Sequence, residues 1–347
     1  MTAMRVRRWS LAVEDWPRLD RLAWEAACRP AGPLDEPGAA LRWAEPTRNI
    51  TIRMWGRYLA YLQAEGVMDP SAGPAERVSF EQVGRFIVAM QNRLAPSTID
   101  ATLTFMGQAM AVFVPGRDWT WIRKHPAAPS SAEILAARKE IIAPDSAQLL
   151  TAALAECDFC ITLPRTPRKV TRFRNALLVA FATCTAVRRR NLAEMRLGTH
   201  LLVRDHGMRV VFTGTKNHQV IDTPLTPMLT RYLRTYLETF RPLLLSGAQG
   251  TDFLWVNEAG HPLSYDSLWE IFQHTGRRLI GQEISVHDVR YGLATGIMNA
   301  DPTKLESASA ALAHRSTTVT RRSYDRSGAD ASNRVWTKLM ERKRRTE

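Results

Sequence analysis

The sequence has few cysteines and no long apolar run, and each absence excludes a class of protein. Its four cysteines are too few to form a disulfide framework in a chain of 347 residues, which favours a reducing compartment. No run of about 18 apolar residues is present, so we expect no membrane span. Glu14 and Asp15 interrupt the N-terminus before an apolar core can form, which argues against a secretory signal. We therefore expect a cytoplasmic protein.

The sequence also lacks the common motifs of nucleotide and metal chemistry. There is no GxxxxGK[ST] loop to bind a nucleoside triphosphate and no acidic cluster of the two-metal nuclease type. Cys157 and Cys160 form a CxxC, but no second CxxC or close histidine pair completes a zinc site. One face of a helix is the better interpretation of this pair. We expect neither a metal nor another cofactor.

Acidic residues are outnumbered, and the imbalance is uneven along the chain. There are 47 lysines and arginines against 34 aspartates and glutamates, a net charge of +13. Such an excess attracts polyanions and favours a nucleic-acid partner, although a merely basic enzyme would share it. Residues 1–125 hold 16 basic and 13 acidic side chains, whereas residues 126–347 hold 31 and 21. The second part is therefore expected to carry most of a phosphate-binding surface.

The apolar periodicity predicts a mainly α protein with a small β-sheet. Helical spacing recurs over residues 47–67, 79–93 and 95–113, with candidate N-caps at Thr47 and Ser79 and with Ser97 or Thr98 near the start of the third helix. Trp119 and Trp121 are expected to close the core of this all-helical part. Further helices and one β-hairpin over residues 208–225 follow.

These patterns divide the chain into five segments. They are an N-terminal extension (1–44), a helical domain (45–125), a linker (126–144), a mixed α+β domain (145–330) and a tail helix (331–347).

Four short motifs in the mixed domain contain residues suited to chemistry. They are "TAVRRRNL" with Arg188, a hairpin turn with Lys216, "HDVRYGLAT" with His287 and Arg290, and "LAHRS" with His314, followed by Tyr324. Each has an ordinary explanation by itself. An arginine run is most often a solvated face, a turn lysine is usually just exposed, and a histidine and arginine three apart share one helix face. A late tyrosine more often packs than reacts.

In this order the four motifs resemble the tyrosine recombinase family, which includes phage integrases and bacterial Xer-type recombinases. The family pattern is close to T-G-L-R-x-x-E-L, a hairpin lysine before P-L, H-x-L-R-H-x-x-A-T, and L-G-H-x-S followed by a tyrosine. The resemblance covers residues 145–330 and extends to residues 47–125. It implies a helical core-binding domain followed by a catalytic domain, and a site-specific DNA recombinase or integrase.

The resemblance also implies a catalytic set. Its members are Arg188, Lys216, His287, Arg290, His314 and Tyr324. Metal-free cleavage of a phosphodiester needs a nucleophile, which the tyrosine supplies as a 3′-phosphotyrosine linkage. It needs fixed positive charge, which two planar guanidinium groups and a histidine supply. It needs proton transfer, for which the family uses the hairpin lysine as general acid, assisted by the first histidine.

The sequence departs from the family pattern at four places. Asn191 replaces the usual acid, Tyr291 replaces a histidine, and Ala313 replaces a glycine. The interval from His314 to Tyr324 is one residue longer than is typical. These changes indicate an outlying branch that keeps its activity.

A basic segment, "LPRTPRKVTRFR" (163–174), contains no acid. Given the resemblance, we expect its side chains to contact the phosphate backbone of DNA, although a solvated loop would have the same composition. The predicted DNA contacts are Arg165, Arg168, Lys169, Arg172 and Arg174.

The resemblance implies double-stranded DNA as the partner and a homotetramer on paired recombination sites, with a monomer or dimer in isolation. A protein of this kind would be associated with the nucleoid. In the tail, the spacing of Val335, Trp336 and Leu339 predicts one helical face, which would dock either on a neighbouring protomer or on its own domain. Two alternatives stay open: a type IB topoisomerase-like enzyme, and a non-catalytic DNA-binding regulator on the same fold.

Overall fold

Contacts divide the chain into two units, Met1–Glu140 and Ile141–Glu347, with the boundary inside the predicted linker. The structure is a computed structural model. It describes residues 9–32, 36–137, 143–205, 207–213, 220–245 and 250–300, with only the backbone of residues 299 and 300. No helix within these ranges is long and apolar enough to cross a lipid bilayer.

The described part of the first unit is all helical. Its helices are α1 (Arg18–Ala27), α2 (Glu45–Ala64), α3 (Pro74–Arg77), α4 (Phe80–Gln91), α5 (Pro96–Phe113) and α6 (Ser131–Ala136). Short 3₁₀ turns lie at Val13–Asp15, Ala39–Arg42 and Thr120–Ile122.

The helix starts agree with the sequence prediction at two of three positions. Ser79 caps α4, because its hydroxyl accepts a hydrogen bond from the Gln82 amide at 3.2 Å. The predicted cap at Thr47 is wrong, since α2 already begins at Glu45. Ser97 and Thr98 lie near the start of α5, as predicted, and that helix begins at Pro96. In both helices a proline occupies the first turn, where its missing N–H costs nothing and its fixed φ suits the helix.

One apolar core holds the first unit together, and the predicted N-terminal extension contributes to it. Trp16 and Trp24 are buried in the same cluster as Trp55 of α2 and Leu103 of α5. Trp119 is also buried there, as predicted, and Trp121 packs on the cluster partly buried. The described residues before 45 therefore belong to the core of the helical unit.

A buried ion pair fastens α1 to the rest of this unit. The Arg77 Nε atom lies 3.0 Å from Asp20 Oδ2, and both side chains are almost fully buried. The Trp55 indole donates to the other carboxylate oxygen at 3.1 Å. The remaining guanidinium nitrogens donate to the carbonyl oxygens of Asp69 and Ala72. Because every charged atom has a partner, the cost of removing both charges from water is offset.

The described part of the second unit is helical with one small sheet. Its helices are α7 (Ser146–Thr162), α8 (Pro167–Thr185), α9 (Arg189–Ala193), α10 (Pro227–Thr235), a π-helical segment (Tyr236–Phe240), α11 (Arg241–Leu244), α12 (Tyr265–Ile280) and α13 (Val286–Ala300). Its strands are β1 (Leu201–Arg204), β2 (Gly207–Phe212) and β3 (Ile221–Pro224).

The sheet is antiparallel in the order β1-β2-β3, and Val210 of β2 pairs with Leu201 on one side and Thr223 on the other. The predicted hairpin corresponds to β2 and β3, while β1 was not predicted. The mainly α fold with a small sheet is confirmed.

Helix α8 lies at the centre of the second unit. Its residues from Ala176 to Thr183 are all buried, and it packs against α7, α10, α12 and α13. The rings of Phe173 and Phe240 stack with centroids 3.9 Å apart. Cys157 and Cys160 lie on the buried face of α7 against this core, as expected for a helix face.

Helix α9 is short and ends at Ala193. After Ala193 the chain leaves the helix and pairs with a distant segment. The Leu254 amide donates to the Met195 carbonyl at 2.8 Å, and the Leu197 amide donates to the Asp252 carbonyl at 2.7 Å. Tertiary hydrogen bonds replace the helical ones here, so the weak local preference is overridden.

We expect Asp20→Asn to lower the free energy of unfolding of the first unit by about 3 kcal/mol, because the buried Arg77 guanidinium loses its counter-charge. Urea denaturation followed by tryptophan fluorescence measures this loss, since seven of the ten tryptophans lie in this unit. The matched control is Asp100→Asn, whose ion pair with Arg123 is largely exposed. That change should cost less than about 1 kcal/mol. Equal losses in the two variants would contradict the prediction.

Candidate active site

The first predicted catalytic residue, Arg188, follows an unusual turn at the end of α8. Ala186 adopts a left-handed conformation with φ 49° and ψ 27°, and its amide donates to the Ala182 carbonyl at 2.9 Å. A residue with a Cβ atom pays roughly 1 kcal/mol or more for this conformation. Ala186 is 1% exposed, so packing holds it in place. The turn makes Arg188 the half-buried N-cap residue of α9.

Two further predicted catalytic residues, His287 and Arg290, lie in the first turns of α13. The Ser285 hydroxyl accepts from the Asp288 amide at 3.2 Å, and the Asp288 carboxylate accepts from the Ser285 amide and hydroxyl at 2.8 Å. This reciprocal cap fixes the start of the helix. His287 is exposed in the first turn, whereas Arg290 is 6% exposed one turn later.

A small buried cluster brings the two arginine-bearing segments together. It consists of Ala186, Tyr291, Ala294 and Met298. Because Ala186 precedes Arg188 by two residues and Tyr291 directly follows Arg290, the turn after α8 and the helix α13 meet at the predicted site. Tyr291, which stands where the family has a histidine, is 6% exposed and packs as part of this cluster.

Gly292 sets how closely α13 approaches the start of α7. A Cβ atom at this position would lie 2.5 Å from the Pro144 carbonyl oxygen and 3.1 Å from the Ser146 hydroxyl. Only glycine permits this approach, because no Cβ contact in a folded protein is so short. The "GLAT" of the motif therefore holds Arg290 in place through close packing of the backbone.

Asn191 lies in the first turn of α9 and stands where the family pattern has an acid. Its Nδ2 atom is buried, and within the described ranges it has no hydrogen-bond partner. Three of the six predicted catalytic residues, Lys216, His314 and Tyr324, lie outside the described residues, as does Ala313. Their positions in the site stay predictions.

The basic segment before and within α8 divides into exposed and engaged side chains. Arg165 and Arg168 are exposed. The Lys169 ammonium lies 5.0 Å from the centroid of the half-exposed Phe159 ring. Arg172 forms an ion pair with Glu156 and also stacks on that ring. These four residues stay candidates for phosphate contact.

The predicted DNA contact of Arg174 is wrong. Its side chain is 4% exposed and belongs to the interior of the second unit. One guanidinium nitrogen donates to the Val256 carbonyl at 2.7 Å, and the Asn175 side-chain oxygen accepts from two others. The helical phase of α8 turns this arginine inward, so it satisfies a carbonyl of an irregular segment.

The Glu156 carboxylate binds two arginines at once. It pairs with Arg172 and lies 3.1 Å from Arg278. Burial works to raise the pKa of Glu156, but the hydrogen bond from Arg172 and the charges of Arg278 and Arg172 outweigh it and hold the pKa below its usual value. Part of the basic excess is therefore neutralised within the unit.

No cluster of three metal-ligating side chains occurs among the described residues. Burial raises the pKa of the Cys157 and Cys160 thiols. Both therefore stay protonated at neutral pH, and a thiol is a poor metal ligand and nucleophile.

The sequence reasoning missed one arrangement beside Arg188. The guanidinium of Arg189 lies 3.4 Å from the centroid of the Tyr265 ring, at the start of α12. The sequence feature that could have drawn attention to this place is the aromatic pair in "YDSLW", since helical spacing puts Tyr265 and Trp269 one turn apart on one face.

Comparison with known proteins identifies similar sequences and folds. A model of the phage integrase family matches residues 154–330. The tyrosine recombinase XerD of Staphylococcus aureus is 29% identical over 144 residues, which cover 41% of this chain and 47% of the relative. XerD of Staphylococcus saprophyticus is 27% identical over 146 residues, covering 41% and 48%. The chain thus spans about half the length of the curated relatives it matches.

Two solved structures share the fold at low sequence identity. The XerH site-specific recombinase bound to its palindromic difH substrate, in a post-cleavage complex, aligns with a TM-score of 0.61 and 12% identity over 94% of this chain and 99% of that chain. The Tn1549 transposon integrase in complex with transposon right end DNA aligns with a TM-score of 0.57 and 14% identity, over 85% and 93%.

We expect Gly292→Ala to destabilise the second unit by about 2 kcal/mol, because the added methyl group overlaps the Pro144 carbonyl. Gly296→Ala in the same helix is the matched control. Among the described residues no other atom lies within 4 Å of a Cβ atom there, so alanine should stabilise the helix by up to about 1 kcal/mol. Thermal unfolding followed by circular dichroism measures both. Two changes of the same sign would contradict the packing described for α13.

We expect Glu156→Gln to lower the free energy of unfolding by about 1–2 kcal/mol at neutral pH, because both arginines lose their counter-charge. The loss is no larger because both guanidinium groups are partly exposed and water screens the ion pairs. The pKa of this carboxyl is lowered in the folded state, so its stabilisation is complete above its ordinary value of 4.5 and is lost as the pH falls through the folded-state pKa. Urea unfolding from pH 7 to pH 3 should show the gap to wild type closing. Glu194→Gln, which breaks an exposed pair with Arg190, should cost about 0.5 kcal/mol or less. A gap that does not begin to narrow below pH 4.5 would contradict the assignment.

Proposed function

Because the chain belongs to the phage integrase family, we propose that it is a site-specific DNA recombinase that cleaves and rejoins DNA through a 3′-phosphotyrosine intermediate. The observation that carries the proposal is the buried cluster of Ala186 and Tyr291, which joins the segments bearing Arg188 and Arg290. Two arginines from distant parts of the chain, each held by packing, suit the binding of one phosphate group.

In the proposed cleavage step the phenolic oxygen of Tyr324 attacks the scissile phosphorus. The P–O5′ bond breaks, the 3′-phosphate stays on the tyrosine, and the other strand end leaves as a 5′-hydroxyl. Negative charge builds on the non-bridging oxygens in the transition state. Arg188 and Arg290 stabilise it with forked N–H donors that stay protonated at neutral pH, and His314 adds a third donor.

Two proton transfers complete the step. The phenol must lose its proton as it attacks, and His287 assists this transfer from its exposed position in the first turn of α13. The departing 5′ oxygen must gain a proton, which Lys216 supplies. A 5′-hydroxyl of a second strand reverses the sequence and releases the tyrosine. Each step exchanges one phosphoester for another, so the proposed reaction needs neither ATP nor a metal ion.

The proposed partner is double-stranded DNA carrying a recombination site. Two bound sites held by four protomers would allow strands to be exchanged between duplexes. The exposed Arg165 and Arg168, with Lys169 and Arg172 beside Phe159, are the proposed phosphate contacts outside the reacting centre.

Covalent capture tests this proposal. The full chain is incubated with a pool of labelled nicked duplexes with randomised arms, in EDTA and without ATP. A nick beside the cleavage point lets the short 5′-hydroxyl fragment diffuse away, so a protein–DNA adduct accumulates. We expect an adduct that resists detergent, and at least about a thousandfold less of it with Tyr324→Phe. An equal adduct with that variant, or none with wild type, would overturn the proposal.

The captured sequences then distinguish recombination from relaxation. Two duplexes carrying the enriched sequence should exchange strands when mixed with the protein. Relaxation of supercoiled plasmid without any exchange would instead favour a topoisomerase-like enzyme. Sequence-specific binding without an adduct would favour a DNA-binding regulator.

A further inference from the structure

The cation–π contact between Arg189 and Tyr265 lies next to the proposed catalytic arginine. The Arg189 Cζ atom is 3.4 Å from the ring centroid, which is the distance of parallel stacking. Arg189 is the first residue of α9 and directly follows Arg188, the N-cap residue of the same helix. Any movement of the Arg189 backbone therefore moves the backbone of Arg188.

The two partners of this contact differ in how firmly the fold holds them. Helix α9 has five residues, of which Leu192 is buried, and its Arg190–Glu194 ion pair is exposed. Exposed pairs of this kind contribute little to stability. A helix this short is marginal without tertiary support. Its first turn thus depends on contacts with its neighbours.

Helix α12, in contrast, is fixed at the end that carries Tyr265. The Ser264 hydroxyl accepts a hydrogen bond from the Ser267 amide at 3.0 Å and caps the helix. Leu268 and Phe272 are completely buried in the core of the second unit. Helix α12 packs against α7, α8 and α9. The backbone that carries Tyr265 is therefore held by the core, so its ring can restrain the first turn of α9.

We propose that Tyr265 is a positioning residue that holds Arg188 in its catalytic orientation by stacking on Arg189. The inference rests on the proposed function, because Arg188 has a chemical role only in that reaction. Loss of this contact would act on the reaction through the orientation of Arg188, since displacement of a reacting group by about 1 Å can cost on the order of a hundredfold in rate.

Direct DNA contact is the competing role for Tyr265, which is 49% exposed, as is Trp269 one turn along the helix. The two roles predict different kinetics. A residue that binds DNA directly changes the dissociation constant, whereas a residue that positions Arg188 changes the rate of adduct formation at saturating DNA.

The experiment compares Tyr265→Ala with Tyr265→Phe and with the matched control Trp269→Ala. Trp269 has the same exposure and makes no ring contact among the described residues. Both the dissociation constant and the rate of adduct formation at saturation are measured on the captured nicked duplex. We expect Tyr265→Ala to slow adduct formation about tenfold without a change in the dissociation constant. Tyr265→Phe, which keeps the ring, should restore the wild-type rate, and Trp269→Ala should leave it unchanged.

Three results would overturn the inference. The first is an unchanged rate with Tyr265→Ala while wild type forms its adduct, which leaves the proposed function intact. The second is weaker DNA binding with a normal rate at saturation, which assigns Tyr265 to direct contact. The third is the absence of an adduct with wild type on any duplex in the pool, which removes the proposed function and the positioning role together.

A measurement on the free protein tests the contact without catalysis. The ring current of Tyr265 should shift the Arg189 side-chain proton signals upfield, with the assignment made by their loss in Arg189→Lys. Tyr265→Ala should abolish the shift and Trp269→Ala should preserve it. Unshifted Arg189 signals in wild type would overturn the inference whatever the adduct assay shows.

Discussion

The burial of α8 in the second unit is the constraint from which the candidate site follows. Nearly every residue from Val170 to Thr183 is buried, and each large apolar side chain contributes about 1.5–3 kcal/mol. The C-terminal end of the helix is thereby fixed at the centre of the unit. Ala186 can then hold a left-handed conformation that costs energy, because the surrounding packing leaves it no alternative. The direction of the chain into Arg188 follows from this turn.

Some arginines of this protein satisfy buried carbonyl groups, and others are candidates for binding phosphate. The net charge counts both kinds alike. Arg77, Arg174 and Arg241 are buried, and each donates to backbone carbonyls of irregular segments. Such carbonyls have no helical or sheet partner, so a long side chain with five donors satisfies them efficiently. Arg290 is also buried, but it lies at the junction with the turn after α8. The basic excess therefore overstates the charge that faces a polyanion.

Much of the fold was predictable from the sequence because its signals are local. Apolar spacing gave the long helices, and the hydroxyl of Ser79 gave one start correctly. The start of α2 was missed because Pro46 in its first turn favours an earlier start than the hydroxyl of Thr47 indicates. Strand β1 was missed because its single buried residue, Leu201, leaves almost no alternation to detect.

For the candidate site, the sequence by itself determined which residues are available and in what order: Arg188 at the start of a helix, and His287 and Arg290 at i and i+3 on another. Only the tertiary structure decided which side chains are buried. Arg174 faces inward and donates to the Val256 carbonyl, which belongs to a segment 82 residues further along the chain. Ala186 and Tyr291 meet because two helices pack. Periodicity and capping act over a few residues, whereas such contacts depend on how distant segments fit together in one core.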